Sequence, residues 1–340
     1  MTALFSGRGL VRILLGLAVS VVFIGVTISR VDLHAVGAAL TRVDPAGLAL
    51  ALVLVGIEVS LRTLRWQLLL RPIRPVPYRS ALSYTCIGYF ANSLLPARLG
   101  DLARAYLAGG AFGIPRVAVI GTILVERIAD GSFILAVVAL VGVTVVGGGS
   151  FAATALGLGV LAVFGSVVLA GMVAALRRTG ILRTRIGALV ADLGARLAAG
   201  TVALRSLRGA IASASLTVVA FGVAVVAFDV VARSLGVALS AAQVTLAMGA
   251  VALSMAIPAA PSSLGTYEFV GVAVLTSFGI SPELALATIL LVHLAATLPP
   301  ALAGLLAAWH LHFRIGAIVD SPSVALRPID AIAVDVTKAA

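Results

Sequence analysis

The chain has 340 residues, 61% of them hydrophobic and only 11% charged, with a mean hydropathy of +1.18. That composition excludes an ordinary soluble domain and leaves a polytopic membrane protein. The net charge of +11 rests on arginines that flank apolar runs, a pattern that sets membrane orientation and argues against nucleic acid as a partner.

The single Cys86 rules out an internal disulfide and a cysteine metal cluster. His34, His293, His310 and His312 form no HExxH pattern, so neither a metal nor another cofactor is expected. The longest polar stretch, 177–208, is too short for a domain, which makes 1–340 a single integral membrane domain.

Read in order, 10–29 is a retained first helix. It is as long as a span requires, and no small-x-small cleavage site follows before Arg30. An amphipathic stretch at 31–43 is expected on the outer surface, followed by a span at 45–70. The apolar region 80–112 is split by Pro and Gly. Spans follow at 116–146, 151–176 and 210–235, then a second split region at 240–278 and a last span at 282–312. Each half of a split region has roughly 15 residues, short of the about 20 that a bilayer needs. Two short halves around a break suggest a re-entrant hairpin; two short, tilted spans are the alternative. The expected fold is therefore an all-α polytopic membrane protein with six spans plus two re-entrant broken helical hairpins.

Positive charge orients it. Arg8 and Arg12, the group from Arg62 to Arg79, the 177–208 arginines and Arg314, Arg327 and Lys338 fall on one side. Arg30, Arg42 and Arg233 fall on the other. Both termini, the 177–208 segment and the 313–340 tail are thus expected in the cytoplasm of a cell-membrane protein. The 177–208 segment reads as an Arg-rich interfacial helix against anionic phospholipid headgroups, or as simple positive-inside anchoring.

An internal duplication is suggested by Phe112-Gly113-Ile114 against Phe278-Gly279-Ile280, and Thr122-Ile123-Leu124 against Thr288-Ile289-Leu290. Pro96-x-x-x-Gly100 and Pro261-x-x-x-Gly265 match one residue out of register. The copies, about 45–146 and 210–312, are separated by an odd number of spans. They should therefore be inverted, as in transporters that bind substrate near the bilayer midplane.

The charges inside these segments are the candidate site. Arg62 and Arg65 lie three apart on one face and suit a phosphate at headgroup level, because guanidinium donates through a planar fork. The alternative is snorkelling beside Trp66. Around the first break stand Asn92, Pro96, Arg98, Gly100, Asp101 and Arg104. Asp101 can pair with either arginine, Gly100 permits close backbone approach, and the following helix points its free N–H groups into the site. This is an anion-binding arrangement, or else an internally neutralised re-entrant tip.

Glu126, Arg127 and Asp130 sit deep in the 116–146 span, where they must face the interior and pair, Arg98 and Arg104 being the candidate partners. A proton relay and a structural ion pair both remain open. The second break carries Pro258, Pro261, Ser262, Ser263, Gly265, Tyr267 and Glu268. Ser262 or Ser263 can cap the next helix. Glu268 is a candidate for coupling or for a substrate amine. His293, at the repeat position of Arg127, reads as a packed, hydrogen-bonded residue. Glu58 and Asp229 are lone acids in spans, without assigned partners.

Segments 62–71, 92–104, 126–130 and 261–268 together resemble the flippase-like transmembrane domain shared with lysylphosphatidylglycerol synthases, in the same order from about Gly9 to His312. Members usually carry Glu where this chain has Asp101, which keeps the carboxylate. With about 28 residues after His312, the soluble aminoacyltransferase domain of the full synthases is not expected. The resemblance implies movement of a lipid with an anionic or modified headgroup (aminoacylated, glycosylated or isoprenoid phosphate) between leaflets.

The leading expectation is thus a lipid flippase or scramblase rather than an enzyme. Arg98 and Arg104, with Arg62 and Arg65, would hold the phosphate, and Glu126, Asp130 and Glu268 would neutralise, orient or couple. No Gly-x-x-x-x-Gly-Lys motif is present, so the driving force would be a gradient or mass action. From other classes stand a membrane-embedded lipid-phosphate transferase or phosphatase, and a non-transporting scaffold for cell-envelope biosynthesis enzymes. The partners expected are a membrane lipid substrate, a homo-oligomer or those enzymes.

Overall fold

Helix starts follow side-chain caps written into the sequence. Asp32 accepts from the His34 amide at 2.8 Å, and Asp44 accepts from Ala46 and Gly47 just before Pro45. Ser206, Ser240 and Ser281 cap in the same way; Ser240 forms a reciprocal box with Gln243, and Ser281 precedes Pro282.

The computed structural model describes residues 7–95, 99–146, 200–255 and 260–311, with side chains described from 16 onward and not for 143–146. Among these residues there are ten α-helices and no strand. They are α1 (Gly7–Ile28), α2 (Leu33–Leu40), α3 (Pro45–Leu70), α4 (Tyr78–Leu94), α5 (Gly100–Phe112), α6 (Arg116–Val146), α7 (Leu207–Ser234), α8 (Ala241–Ser254), α9 (Thr266–Ser277) and α10 (Pro282–His310). Short 3-10 turns occupy Val202–Arg205 and Pro261–Ser263. Pro96, Arg98, Pro258, His312, the expected span 151–176, most of the 177–208 segment and the 313–340 tail lie outside the described residues.

Among the described residues, α3, α7 and α10 are long and apolar enough to cross a membrane; α1 and α2 make a fourth only if counted as one span bent by 87°. Pro299 and Pro300 lie inside α10 without ending it. One face of α3 and of α7 exposes large apolar side chains, among them Val53, Ile57, Val219 and Val226, as a lipid-facing surface requires.

The two largest apolar cores among the described residues divide the bundle. Trp66, Leu70, Tyr84, Ala105, Val119 and Ile123 bring α3 to α6 together. Phe228, Val231, Val251, Leu275 and Ile289 do the same for α7 to α10. The units join where α3 lies along α7 and α4 along α10. At Gly304 a Cβ would fall 2.0 Å from the Cys86 carbonyl oxygen, so α4 and α10 touch backbone to backbone.

Both split regions are broken near the expected places. α5 doubles back along α4: the Asn92 side chain meets Gly100 beside the break, and the Tyr84 and Phe112 rings meet edge-on at the other end. The second region is α8, the Pro261–Ser263 turn and α9. The helix starts at Gly100 and Arg116 recur at Thr266 and Pro282, both 166 residues later. The shared Phe-Gly-Ile motif has a physical role in each place. Gly113 (φ 62°) and Gly279 (φ 86°) adopt the left-handed conformation that ends a helix without a Cβ penalty.

The close approach at Gly304 can be tested. Gly304→Ala should lower stability by about 1–3 kcal/mol, the usual cost of overpacking. Gly222→Ala, where a Cβ meets nothing within 4 Å, should not. Thermal unfolding in detergent, read by circular dichroism, compares the two.

Candidate functional site

Three helices deliver charge to one point, and a fourth, α4, adds Asn92. α3 brings Glu58, Arg62 and Arg65, spaced so that all three share a face. The first break and the start of α5 bring Asn92, Asp101 and Arg104; the middle of α6 brings Glu126, Arg127 and Asp130. The four helices pack closely because Gly88 and Gly100 leave no side chain between α4 and α5. A Cβ on Gly100 would lie 1.9 Å from the Gly88 carbonyl oxygen. The Asn92 carboxamide oxygen uses that space to accept from the Gly100 amide at 2.8 Å.

Asp130 is the hub. Arg65 grips it with both terminal nitrogens, Nη1 to Oδ1 and Nη2 to Oδ2 at 3.0 Å, and Arg62 Nη1 reaches Oδ2 at 3.1 Å. Arg62 also donates Nε to Glu58 at 2.7 Å. Arg65 Nη1 continues to the Thr217 hydroxyl of α7 at 2.7 Å. Glu126 lies between two guanidiniums, 3.1 Å from Arg104 Nη2 and 3.5 Å from Arg65 Nε. Asp101 binds Arg127 through both oxygens, at 2.8 and 3.0 Å, with Arg104 farther off at 3.9 Å. Four arginines thus meet four carboxylates, and the described cluster carries no net charge.

The arrangement answers several expectations. Arg65 is only 3% exposed and Trp66 is fully buried, so neither snorkels at an interface. The Trp66 ring instead lies under the Arg104 guanidinium at 4.1 Å, and its Nε1 donates to Thr122 at 3.1 Å. Glu126 takes Arg104 as partner, whereas Asp130 takes Arg62 and Arg65. Asp101 turns mainly to Arg127, a partner that spacing along α5 could not show. Glu58 and Asp229 pair with Arg62 and Arg233, each four residues on.

These groups line a cavity of about 30 Å³ together with Thr85, Gly88 and Tyr89. That is room for about two waters. Three buried polar atoms on its lining side chains, Arg65 Nε, Arg104 Nε and Thr85 Oγ1, have no hydrogen-bond partner. The sequence reading missed Thr85, Tyr89 and Thr217, whose uncharged side chains look like any others in an apolar helix.

The second break is built differently. Ser262 and Ser263 adopt left-handed backbone (φ 57° and 59°), and Gly265 has φ 89°. Neither serine hydroxyl caps α9. Gly265 stands at the cap position, and its amide donates to Glu268 Oε2 at 2.6 Å. The other Glu268 oxygen faces His293 Nδ1 at 2.5 Å, and His293 Nε2 faces the Ser262 carbonyl oxygen at 3.0 Å. Tyr267 stacks on the imidazole with centroids 4.2 Å apart. His293 is therefore the hydrogen-bonded residue expected, but its partner, Glu268, went unassigned. The available signal was the repeat offset, since Arg127 takes the place of His293 in the first half and its partner Asp101 lies within one residue of the place that corresponds to Glu268. Among the described residues no cluster of three or more His, Cys, Asp or Glu could hold a metal.

Asp130→Ala should strand two guanidiniums and cost about 3–5 kcal/mol, as removing one partner of a buried pair does. Asp130→Asn keeps an acceptor oxygen and should cost less. Denaturation midpoints of the purified variants measure both.

Residues 13–304 match the family described as the lysylphosphatidylglycerol synthase TM region. A curated relative, glycosyltransferase AglD of Haloferax volcanii, is 33% identical over 156 residues, covering 44% of this chain and 24% of that protein. The chain spans about a quarter of that relative's length. The family match covers most of the chain, its helices and both of its charged breaks: the protein is a helical membrane protein of the lysylphosphatidylglycerol synthase TM region family.

Proposed function

We propose that the protein moves lipids with phosphate-bearing headgroups between leaflets, and that the arginine–carboxylate cluster is where the headgroup is handled. The observation that carries this reading is the charge-neutral cluster around a cavity, buried but for its rim, in which Nε of Arg65 and of Arg104 makes no hydrogen bond. Intramembrane charge is costly and is retained where it serves a pathway. A phosphate oxygen is the same kind of acceptor as a carboxylate oxygen, so a headgroup can exchange with Glu126 or Asp130 at the guanidiniums. The present cavity is too small for a headgroup. Transport therefore requires α5 and α6 to part from α3 and α4, while the acyl or isoprenoid tails stay in lipid.

Within this reading, six spans and two re-entrant hairpins form an inverted repeat in a cell membrane, with both termini cytoplasmic. The repeated helix starts at an offset of 166 residues support it. The chain itself would catalyse no headgroup chemistry. The name of the Haloferax relative favours a second reading, group transfer onto a lipid. The stretch shared with this chain is about a quarter of that protein, and the carboxylates of the cluster here are engaged by arginine.

Proteoliposomes carrying fluorescent phosphate-headgroup lipids decide between them. Arg104→Met combined with Glu126→Leu removes a charge pair without stranding either partner, so the variant should fold. Its leaflet exchange should fall by at least about tenfold, the ratio given by about 1.4 kcal/mol of lost interaction. Exchange at the wild-type rate in that variant would sink the proposal, as would headgroup conversion without exchange.

A further inference from the structure

Glu268 and His293 take no part in the arginine cluster, and their geometry fixes how many protons they share. The Ser262 carbonyl oxygen can only accept, so His293 Nε2 must carry a proton to bond it at 3.0 Å. His293 Nδ1 and Glu268 Oε1 are 2.5 Å apart, so a second proton lies between them. Written as imidazolium with carboxylate or as imidazole with carboxylic acid, the pair holds two protons and is neutral. Both residues are buried, His293 at 4% and Glu268 at 6% exposure.

What the pair holds is strained backbone. Ser262 and Ser263 are the described non-glycine residues with positive φ, and they lie consecutively. His293 fastens the Ser262 carbonyl and Glu268 the Gly265 amide, so the pair grips the turn from both ends. Within the turn the Ser263 amide donates to the Ala260 carbonyl at 2.9 Å and the Leu264 amide to the Pro261 carbonyl at 3.4 Å; the Thr266 hydroxyl donates to the Ser263 carbonyl, and the Ala260 amide to the Ser20 hydroxyl of α1.

We propose that Glu268 and His293 form a proton-binding clasp on the turn at 260–265: two shared protons fasten the turn, and loss of one to water releases it. With one proton left, the shortest contact keeps it between Nδ1 and the carboxylate. Nε2 then presents a lone pair to the Ser262 carbonyl, and that tie is lost. The pair also becomes anionic in a buried site, which favours an opened, hydrated turn.

The ionisable neighbours do not supply an alternative proton store. Tyr267 stacks on the imidazole, and Glu58 on α3 is paired with Arg62. Arg62 and Arg65 on α3 are engaged by carboxylates. α4, packed on α10 and the turn, carries Tyr78, Arg79, Tyr84, Cys86 and Tyr89, and α10 itself carries Glu283 and His310 at its ends. α7 carries Asp229, bonded to Arg233, together with Arg208, and α2 carries His34. The described side chains of α1 and α8 include no ionisable group. Among the described residues, none of these hydrogen-bonds to Glu268 or His293.

That the clasp links proton movement to lipid movement rests on the transport reading above; the clasp itself does not, and it is tested without lipid transport. In a Cys86→Ala background, Ser262→Cys is labelled with a membrane-permeant maleimide from about pH 5 to about pH 8. Each rate is divided by that of the same cysteine in a His293→Gln protein, which cancels the thiol's own ionisation. The ratio should rise with pH, approaching about tenfold per unit where one proton is released. A flat ratio overturns the clasp. If His293→Gln does not fold, ¹⁵N imidazole spectra of a chain with His34, His310 and His312 changed to Gln decide instead. Nε2 should change from protonated to bare as pH rises, and an Nε2 that keeps its proton throughout overturns the proposal. A clasp that titrates in a protein that moves no lipid would remove the transport reading alone.

Discussion

The pairing of buried arginines with buried carboxylates constrains the rest of the structure. Arg62, Arg65 and Arg104 could not stay inside an apolar bundle without Glu58, Glu126 and Asp130 within reach, and Asp101 likewise holds Arg127 at the rim. Meeting that requirement takes α3, α5 and α6 to one point, and it takes Gly88 and Gly100 to let α4 and α5 touch. The break between α4 and α5 is what allows a helix start, with Asp101 in its first turn, to stand inside an apolar region. The broken segment and the charges are thus one device. Burial falls off outward: Arg65, Arg104 and Glu126 are buried, whereas the Arg127 side chain is 40% exposed and forms the rim.

The two halves use the same plan for different ends. Each has a split region in which a side chain accepts from a glycine amide at the start of the returning helix, Asn92 from Gly100, its first residue, and Glu268 from Gly265, its cap. Each then pairs an acid near that start with a base on the next helix, Asp101 with Arg127 and Glu268 with His293. In the first half, further arginines from α3 enlarge the pair into a cluster around a cavity. In the second, no arginine joins, and the pair is closed over strained backbone. A permanent cation opposite one break and a titratable base opposite the other make the asymmetry chemical as well as structural.

Much of this was legible in the sequence. Apolar length located α3 and α6, Pro and Gly located the breaks, and the 166-residue offset anticipated where helices restart. The intramembrane charges named most residues of the cluster. Their partners were not legible, because spacing along one helix ranks only neighbours on that helix. Asp101 was expected to choose between Arg98 and Arg104, yet its bidentate partner is Arg127 on α6. Trp66 read as an interfacial anchor because Arg residues surround it; only the packing of α5 shows it buried beneath Arg104. His293 read as a lone packed histidine since nothing local to it is acidic, and Glu268 reaches it from another helix.

The central claim is that a lipid phosphate competes with carboxylates for the same guanidiniums. A double-mutant cycle on Arg104 and Glu126, read by unfolding free energy, tests this most directly. It is run in a lipid-free, non-ionic detergent and again with a phosphate-headgroup lipid added. The account predicts a coupling of about 0.5–3 kcal/mol without lipid, as for other residues in one network, and a smaller coupling once phosphate takes the arginine. A coupling unchanged by the lipid would mean that the pair holds the fold together and meets no headgroup, contradicting the account.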